Sequence, residues 1–273
     1  MSELKTALER RFGDVGDVDE EADVLTALAS RGSCRWFEDK AVETTLLRTL
    51  CAAALAAPSK SDLQQRDLII LEDAEQRDRI MALCGPQAWI AGAPALIVVC
   101  GDNRRLRQMF AMRGRDFAND HLDAFFNAAV DAGIALSALV TAAEAIGLGA
   151  CPISTIRNEA AEASRLLNLP DHVFPVAAVA IGWPLYPSPR ISKRLPLAAT
   201  VHIDRFSEEG IDDRIADYDQ ARGDVAPAER QRSVDQFGQA ERYLWSDDKT
   251  RQFALPERSD FGAFIRAKGF RLD

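Results

Sequence analysis

Residues 125–149 read FFNAAVDAGIALSALVTAAEAIGLG. The stretch is apolar nearly all round and closes on Gly147 and Gly149. A helix without a polar face has to be buried on every side, so this segment is expected to be central or to lie in a dimer interface. Its neighbours fit layers around it. ACPIST and FPVAAVAIGWP follow as buried strands, with NEAAEASRLLNLPDH between them as an amphipathic helix. Upstream, DLIILED and PALIVVCGD are short apolar runs bounded by polar or turn residues, hence strands. The segment between them, AEQRDRIMALCG, is a helix with Gly85 after its end. EEADVLTALASRG reads as a helix closed by Gly32, and AVETTLLRTLCAAALAAP as one that ends before Pro58. Helices outnumber strands and separate them, which gives an α+β or mixed α/β class.

The 273 residues suit one large domain or two small ones, enough to bury a full core without staples. A hydrophobic share of 47% with 27% charged residues is that of an ordinary globular chain. The net charge of -9 gives the chain no electrostatic reason to seek nucleic acid or an anionic membrane. No apolar run approaches the roughly 20 residues that cross a bilayer. The N-terminus is charged and lacks an apolar signal core, so a cytoplasmic location is expected. The five cysteines form no CxxC pair, which reads as buried or free thiols, and the three histidines lie too far apart for a structural zinc site. After Pro196 the chain turns polar, helical and dotted with aromatics, as in a C-terminal appendage.

Several standard chemistries are missing. There is no GxGxxG after a strand, no GxxxxGK[ST], no GxSxG and no HExxH. GLGACP reads either as a phosphate loop or, preferably, as a helix C-cap leading into a strand. The polar clusters are more telling. In RGSCR, Arg31, Ser33 and Arg35 offer forked guanidinium donors and a hydroxyl suited to a phosphate, although alone such a triplet is more often a solvated surface. AAPSKSDLQQRDLIIL places Ser59, Lys60 and Ser61 between a buried helix and a buried strand. QAW presents Gln87 ahead of the second strand, ISTIRN presents Ser154, Thr155 and Arg157 after another, and SPRISKRLP carries Arg190, Lys193 and Arg194 after the last. Each reads also as a loop with satisfied polar groups.

Their order carries more than any one of them. R-x-S-x-R, APS…Q, QAW…APALIVVCGD, an apolar helix ending GLGA, then IR and IGWP…RLP, resembles the nitroreductase family of FMN-dependent NAD(P)H oxidoreductases from about Arg31 to His202. The tail segments IADYDQ, YLWSDD and FGAFIRAKGF look like the C-terminal extension of the longer branch, the oxygen-insensitive NADPH nitroreductases and NADPH-flavin reductases. The resemblance implies a dimeric α+β fold with a central, mostly antiparallel sheet flanked by helices. It divides the chain into an N-terminal helical extension (1–30), an FMN-binding core (31–205) and a C-terminal helical extension (206–273). It implies FMN as cofactor, NADPH as electron donor, and ping-pong hydride transfer to a small-molecule acceptor such as a nitroaromatic, a quinone or free flavin. Each subunit of the homodimer is expected to contribute to both flavin sites.

Carried over, Arg31 and Ser33 are expected to bind the FMN phosphate, Arg35 the pyrimidine edge, and Gln87 the ring or ribityl chain. Ser59, Lys60 and Ser61 are expected to face the flavin, and the backbone at Ser154 and Thr155 to meet its N5 and O4 side. Arg194 closes on the phosphate, and Arg157 and Lys193 complete the cofactor-binding set. A phosphate dianion and the negative charge of a reduced flavin both favour such cations, while the flavin carries the hydride chemistry, so no protein nucleophile or metal is needed. Three positions depart from the family pattern: Asp62 stands for a common asparagine, Ser192 for a basic residue, and Ser154 and Thr155 for glycines. Arg222, Arg230, Arg232 and Arg242 in the tail, Arg230 and Arg232 foremost, read either as sites for the NADPH 2′-phosphate or as a solvated helix face balanced by Glu229 and Glu241. Two other classes stay open: a flavoprotein of this scaffold that does not use nicotinamide, and a helix-rich interaction module without cofactor.

Overall fold

A computed structural model describes residues 2–18, 22–186, 191–225 and 230–273. In chain order the elements are α1 (Glu3–Phe12), α2 (Asp23–Ser30), α3 (Thr44–Leu55), β1 (Arg66–Ile70), α4 (Ala74–Leu83), α5 (Ala88–Ala91), β2 (Ala95–Asp102), α6 (Arg104–Met112) and α7 (Leu122–Ala145). There follow β3 (Gly149–Ile153), α8 (Ala160–Leu166), β4 (Val173–Gly182), α9 (Ile211–Val225), α10 (Val234–Phe237), α11 (Trp245–Phe253) and α12 (Phe261–Ala267). They form two compact units: Met1–Gly32 with Arg190–Glu257, and Ser33–Pro189 with Arg258–Asp273.

The second unit holds the sheet. Its strands lie in the order β1-β2-β4-β3, and every pairing is antiparallel. The register sets Arg66 opposite Gly101, Ala95 opposite Ile181 and Gly149 opposite Gly182. Both faces are covered, which is why β2 and β4 read as continuous apolar runs instead of alternating ones. Leu96, Val98 and Cys100 pack with Ile80 and Met81 of α4 and Ala163 of α8. Ala95, Ile97 and Val99 pack on the other face with Leu47 and Leu50 of α3 and with Ala132, Leu139 and Ala143 of α7. Burial pushes the thiol of Cys51 up to about 11 and that of Cys84 to about 12, so these stay protonated. All five cysteines are free. The helix α12 closes the same unit, where Phe270 and Phe174 meet edge to face at 5.5 Å. At the sheet margin, β3 carries an exposed Pro152.

Two local expectations change. The helix α2 is not closed by a left-handed Gly32. It ends on Arg31, which is extended (φ -62, ψ 151), and its open carbonyls are taken by a side chain from α1. Second, α7 spans 24 residues and is long and apolar enough, by length and composition, to cross a bilayer, although no uninterrupted run suggested it. The sequence broke that run at Asp131. In the fold α7 is the core helix that covers one face of the sheet, and its opposite side leaves Leu122, Phe126 and Val130 exposed.

Asp131 explains the loop between α3 and β1. Its carboxylate is fully buried and accepts the backbone N–H groups of Lys60 and Gln65, both at 3.0 Å. The Arg66 guanidinium lies 3.9 Å away and donates to the carbonyls of Leu55 and Ala57, at 2.8 and 3.0 Å, just past the end of α3. Within this loop Ser61, Asp62 and Gln64 all hold positive φ (49°, 55° and 52°). Each such non-glycine residue costs about 1–2 kcal/mol, so the loop needs an external clamp. Replacing Asp131 by alanine leaves Arg66 buried without its counter-charge and is expected to cost about 3–5 kcal/mol in a denaturant titration. A loss below about 1 kcal/mol, the worth of an exposed pair, would remove Asp131 from this role.

Candidate anion-binding site and ring-side donors

In the first unit a cleft of about 560 Å³ is lined by Arg11, Arg31, Lys193, Arg194, Arg222 and Trp245, among others. Among the described residues its lining includes no aspartate or glutamate. Arg31 leaves α2 in extended form, and Lys193 and Arg194 lie in a segment that is neither helix nor strand. From α9, Tyr218 Oη donates to the Lys193 carbonyl at 3.1 Å and receives Arg222 Nη1 at 2.7 Å. Tyr218 itself stands edge to face on Trp245, with centroids 5.0 Å apart. Cations gathered in a concave site suit an anion, because guanidinium and ammonium groups offer charge-assisted donors to it. Thus Arg31, Lys193 and Arg194, expected on a phosphate, do meet in one cleft. Lys193 lies there beside Arg194 where Ser192 replaces the family's basic residue; Arg190 lies outside the described residues.

In the second unit the sequence-derived donors fall into separate groups. Arg35 is exposed and stacks over the Trp89 ring at 5.6 Å. It belongs to a strip in which Cys34 N–H donates to Ala150, Glu38 N–H to Trp183 and Leu185 N–H to Trp36, beside an isolated bridge between Phe37 and Pro184. Ser33, at the head of this strip, is exposed. Gln87 is exposed, and its amide lies against Gly85 (φ 112°), where an added Cβ would meet Oε1 at 2.8 Å. Thr155 Oγ1 donates to the Cys84 carbonyl at 2.5 Å, so Gln87 and Thr155 share the corner at the end of α4. Ser154 is exposed beside it. Arg157 is turned inward: Nη1 donates to Val176 of β4 at 3.0 Å, and burial, with Arg258 nearby, pulls its affinity for the proton below the usual value.

Ser59, Lys60 and Ser61 lie at the opposite end of the sheet from Arg35. Ser59 Oγ accepts Gln64 N–H at 3.2 Å, and the Lys60 ammonium pairs with Asp123 at 3.3 Å. Their loop enters β1 at Arg66, opposite the end of β2, whereas the Arg35 strip lies by the start of β3 and the end of β4. The eight residues of β2 between these ends span about 24 Å at the usual rise per residue. The Asp62 carboxylate is exposed and accepts the Gln64 amide at 3.1 Å. Its φ of 55° is one that aspartate and asparagine adopt more readily than other residues with a Cβ. In the tail, Arg230 is exposed, while Arg232 Nε is paired with Asp248 at 2.8 Å and Arg242 with Asp224 at 3.2 Å. Glu229 lies outside the described residues.

Sequence reasoning missed Arg11 and Asp131, and it grouped Arg222 with the other tail arginines, apart from this cleft. For both arginines no local signal pointed to the cleft, since their place in it depends on tertiary packing. Asp131 did announce itself, as the one carboxylate in the stretch of α7 between Asp123 and Glu144.

An antiparallel sheet sandwiched between helices defines an α+β protein, and one of its two units carries a cationic cleft. Residues 28–183 match the sequence model of the Nitroreductase family and residues 192–273 that of the Nitroreductase family, C-terminal domain. The chain belongs to the nitroreductase family. It is 34% identical over 205 residues, 72% of this chain and 80% of the other, to the FMN reductase [NAD(P)H] of Bacillus subtilis (strain 168). The NADPH-flavin oxidoreductase of Vibrio harveyi is 30% identical over 246 residues, 90% of this chain and 97% of its own. Among solved structures, NfrA2 of B. megaterium superposes with a TM-score of 0.83 at 29% identity, over 93% of this chain and all of that one.

The Arg35 strip depends on two glycines. A Cβ at Gly149 would come within 2.5 Å of Cys34 Sγ, and one at Gly182 would strike Pro94 and reach Phe37 Cδ1 at 2.8 Å. Gly182→Ala is therefore expected to cost about 1–3 kcal/mol, the usual penalty of overpacking. At roughly 2–4 °C per kcal/mol this is visible in a thermal melt, and an unchanged melting temperature would show that the strip gives way freely.

Proposed function

We propose that this chain is an FMN-dependent NADPH oxidoreductase acting on a small-molecule acceptor. The observation that carries the reading is the cleft in which Arg31, Lys193 and Arg194 stand together. That donor set fits a single phosphate dianion, and both relatives described above are named for flavin reduction. When bound, FMN supplies the two-electron chemistry, accepting a hydride from NADPH and passing electrons to a nitroaromatic, a quinone or free flavin. The chain's own residues bind and orient. Arg31, Lys193 and Arg194 hold the phosphate. The ring-side donors assigned by the family resemblance, Arg35, Ser59, Lys60, Ser61, Gln87, Ser154 and Thr155, all come from the sheet unit. For the donor's 2′-phosphate, Arg230 and Arg232 are the proposed pair, with Arg232 steadied by Asp248.

The purified protein is expected to be yellow, to release FMN and not FAD, and to bleach anaerobically with NADPH. Arg194→Ala is expected to weaken FMN binding by about 1.5–3 kcal/mol, the worth of a hydrogen bond to a charged group. Recovery of mainly FAD, or full FMN affinity in that variant, would contradict the phosphate assignment.

We further propose a homodimer. Two features support it. The ring-side donors of one chain stand at opposite ends of the sheet, too far apart for one flavin ring, so a complete ring site needs two chains. In addition, α7 leaves Leu122, Phe126 and Val130 uncovered. Sedimentation at micromolar concentration is expected to show a dimer burying more than about 2,000 Å². Val130→Glu is expected to shift it toward monomer with loss of flavin. A monomeric species retaining FMN would refute the shared site.

A further inference from the structure

The cleft of the first unit is built from two basic segments far apart in sequence, and one residue of the N-terminal helix touches both. We propose that Arg11 is a positioning residue for the phosphate-binding cations, fixing the backbones of Arg31 and Arg194 in their places. The proposal rests on the reading of this cleft as the site of the FMN phosphate.

Arg11 stands in the last turn of α1 and is only 7% exposed. A guanidinium is buried at a cost that only well-made hydrogen bonds offset. Its Nε donates to the Ala29 carbonyl at 2.9 Å and its Nη2 to the Arg31 carbonyl at 2.5 Å. These carbonyls lie at the open end of α2, where a helix leaves its acceptors unpaired and its dipole favours a cation. That contact by itself is a helix cap. Capping α2, however, does not require what the main chain of the same residue does. The Arg11 carbonyl accepts the backbone N–H of Arg194 at 2.6 Å.

Residues 191–196 belong to no helix or strand, so contacts of this kind replace a regular ladder in holding them. The other end of the tie is equally firm. Leu4 and Ala7 of α1 are buried against Ala29 of α2, and Ser2 Oγ caps the helix by accepting Lys5 N–H at 3.1 Å. The N-terminal segment, to which the family resemblance assigns nothing, thus has work to do. A ligating arginine has a long, rotamer-rich side chain, and fixing its backbone removes part of what ordering it costs.

The test compares FMN with riboflavin, which lacks the phosphate, on the full-length protein freed of flavin, by quenching of flavin fluorescence. The unmodified protein is expected to prefer FMN. Arg11→Met is expected to lose about tenfold or more in FMN affinity, the scale on which losing a group that orients a ligating residue is felt, with riboflavin affinity unchanged. Arg11→Lys keeps the charge but cannot fork over two carbonyls, so an intermediate preference is expected; this variant carries the test if Arg11→Met does not fold. A merely structural role would lower both affinities together and leave their ratio alone, which overturns the proposal. An unmodified protein that does not distinguish the two flavins would instead overturn the phosphate reading, and the role of Arg11 with it. A clear preference that both variants retain would overturn the role of Arg11 only.

Discussion

The carboxylate of Asp131 sits inside an otherwise apolar helix with no water to solvate it, and the sheet unit is arranged to satisfy it. A buried ion needs ligands, and here they are the amides of Lys60 and Gln65 and the guanidinium of Arg66. Arg66 then reaches the carbonyls beyond α3. One charge therefore joins the end of a helix, a strained loop, the first strand and the central helix. The loop can hold three residues in left-handed conformation because its anchor belongs to the core. Without that anchor the hydroxyls and lysine between α3 and β1 would have no fixed direction.

The first unit solves a different electrostatic problem. It gathers like charges, which repel, in one cleft. The opposing force comes from geometry: Tyr218 stands between Arg222 and the Lys193 carbonyl, and the ends of α1 and α2 supply backbone acceptors. If the proposed phosphate reading holds, a site built this way needs little reorganisation on binding.

Much of the fold was legible because the signals were local. The all-buried strands β2 and β4 have no polar alternation, and α7 has no polar face wide enough to be an outer helix. Pro58, Gly85 and Gly147 punctuate as their chemistry requires. The antiparallel sense of the sheet followed from the family resemblance and not from periodicity, which cannot distinguish strand directions. What escaped was tertiary. Gly32 looked like a helix stop, yet Arg11 from another helix performs that office. The apolar run of α7 looked too short to cross a bilayer because Asp131 interrupts the sequence without interrupting the helix. In the site, Arg31, Lys193 and Arg194 could be named from motif order. Arg11 joins them only through packing, which no spacing in the chain announces, and Arg222, legible as a tail arginine, is brought to this cleft by the fold.

The outer strand β3 carries a consequence of its own. An open four-stranded sheet exposes two borders, and a border strand with free amides is a template on which other chains can polymerise. Along β3 the first stretch is screened by the 34–38 strip, where Cys34 already bonds to Ala150. The next position outward is Pro152, which has no amide hydrogen to offer. The strip that carries Arg35 thus also seals the sheet, and a single imino acid continues the seal where the strip ends. A protein that buries so many valines and isoleucines in two fully covered strands is guarded in this way against turning its own sheet into a seed for aggregation.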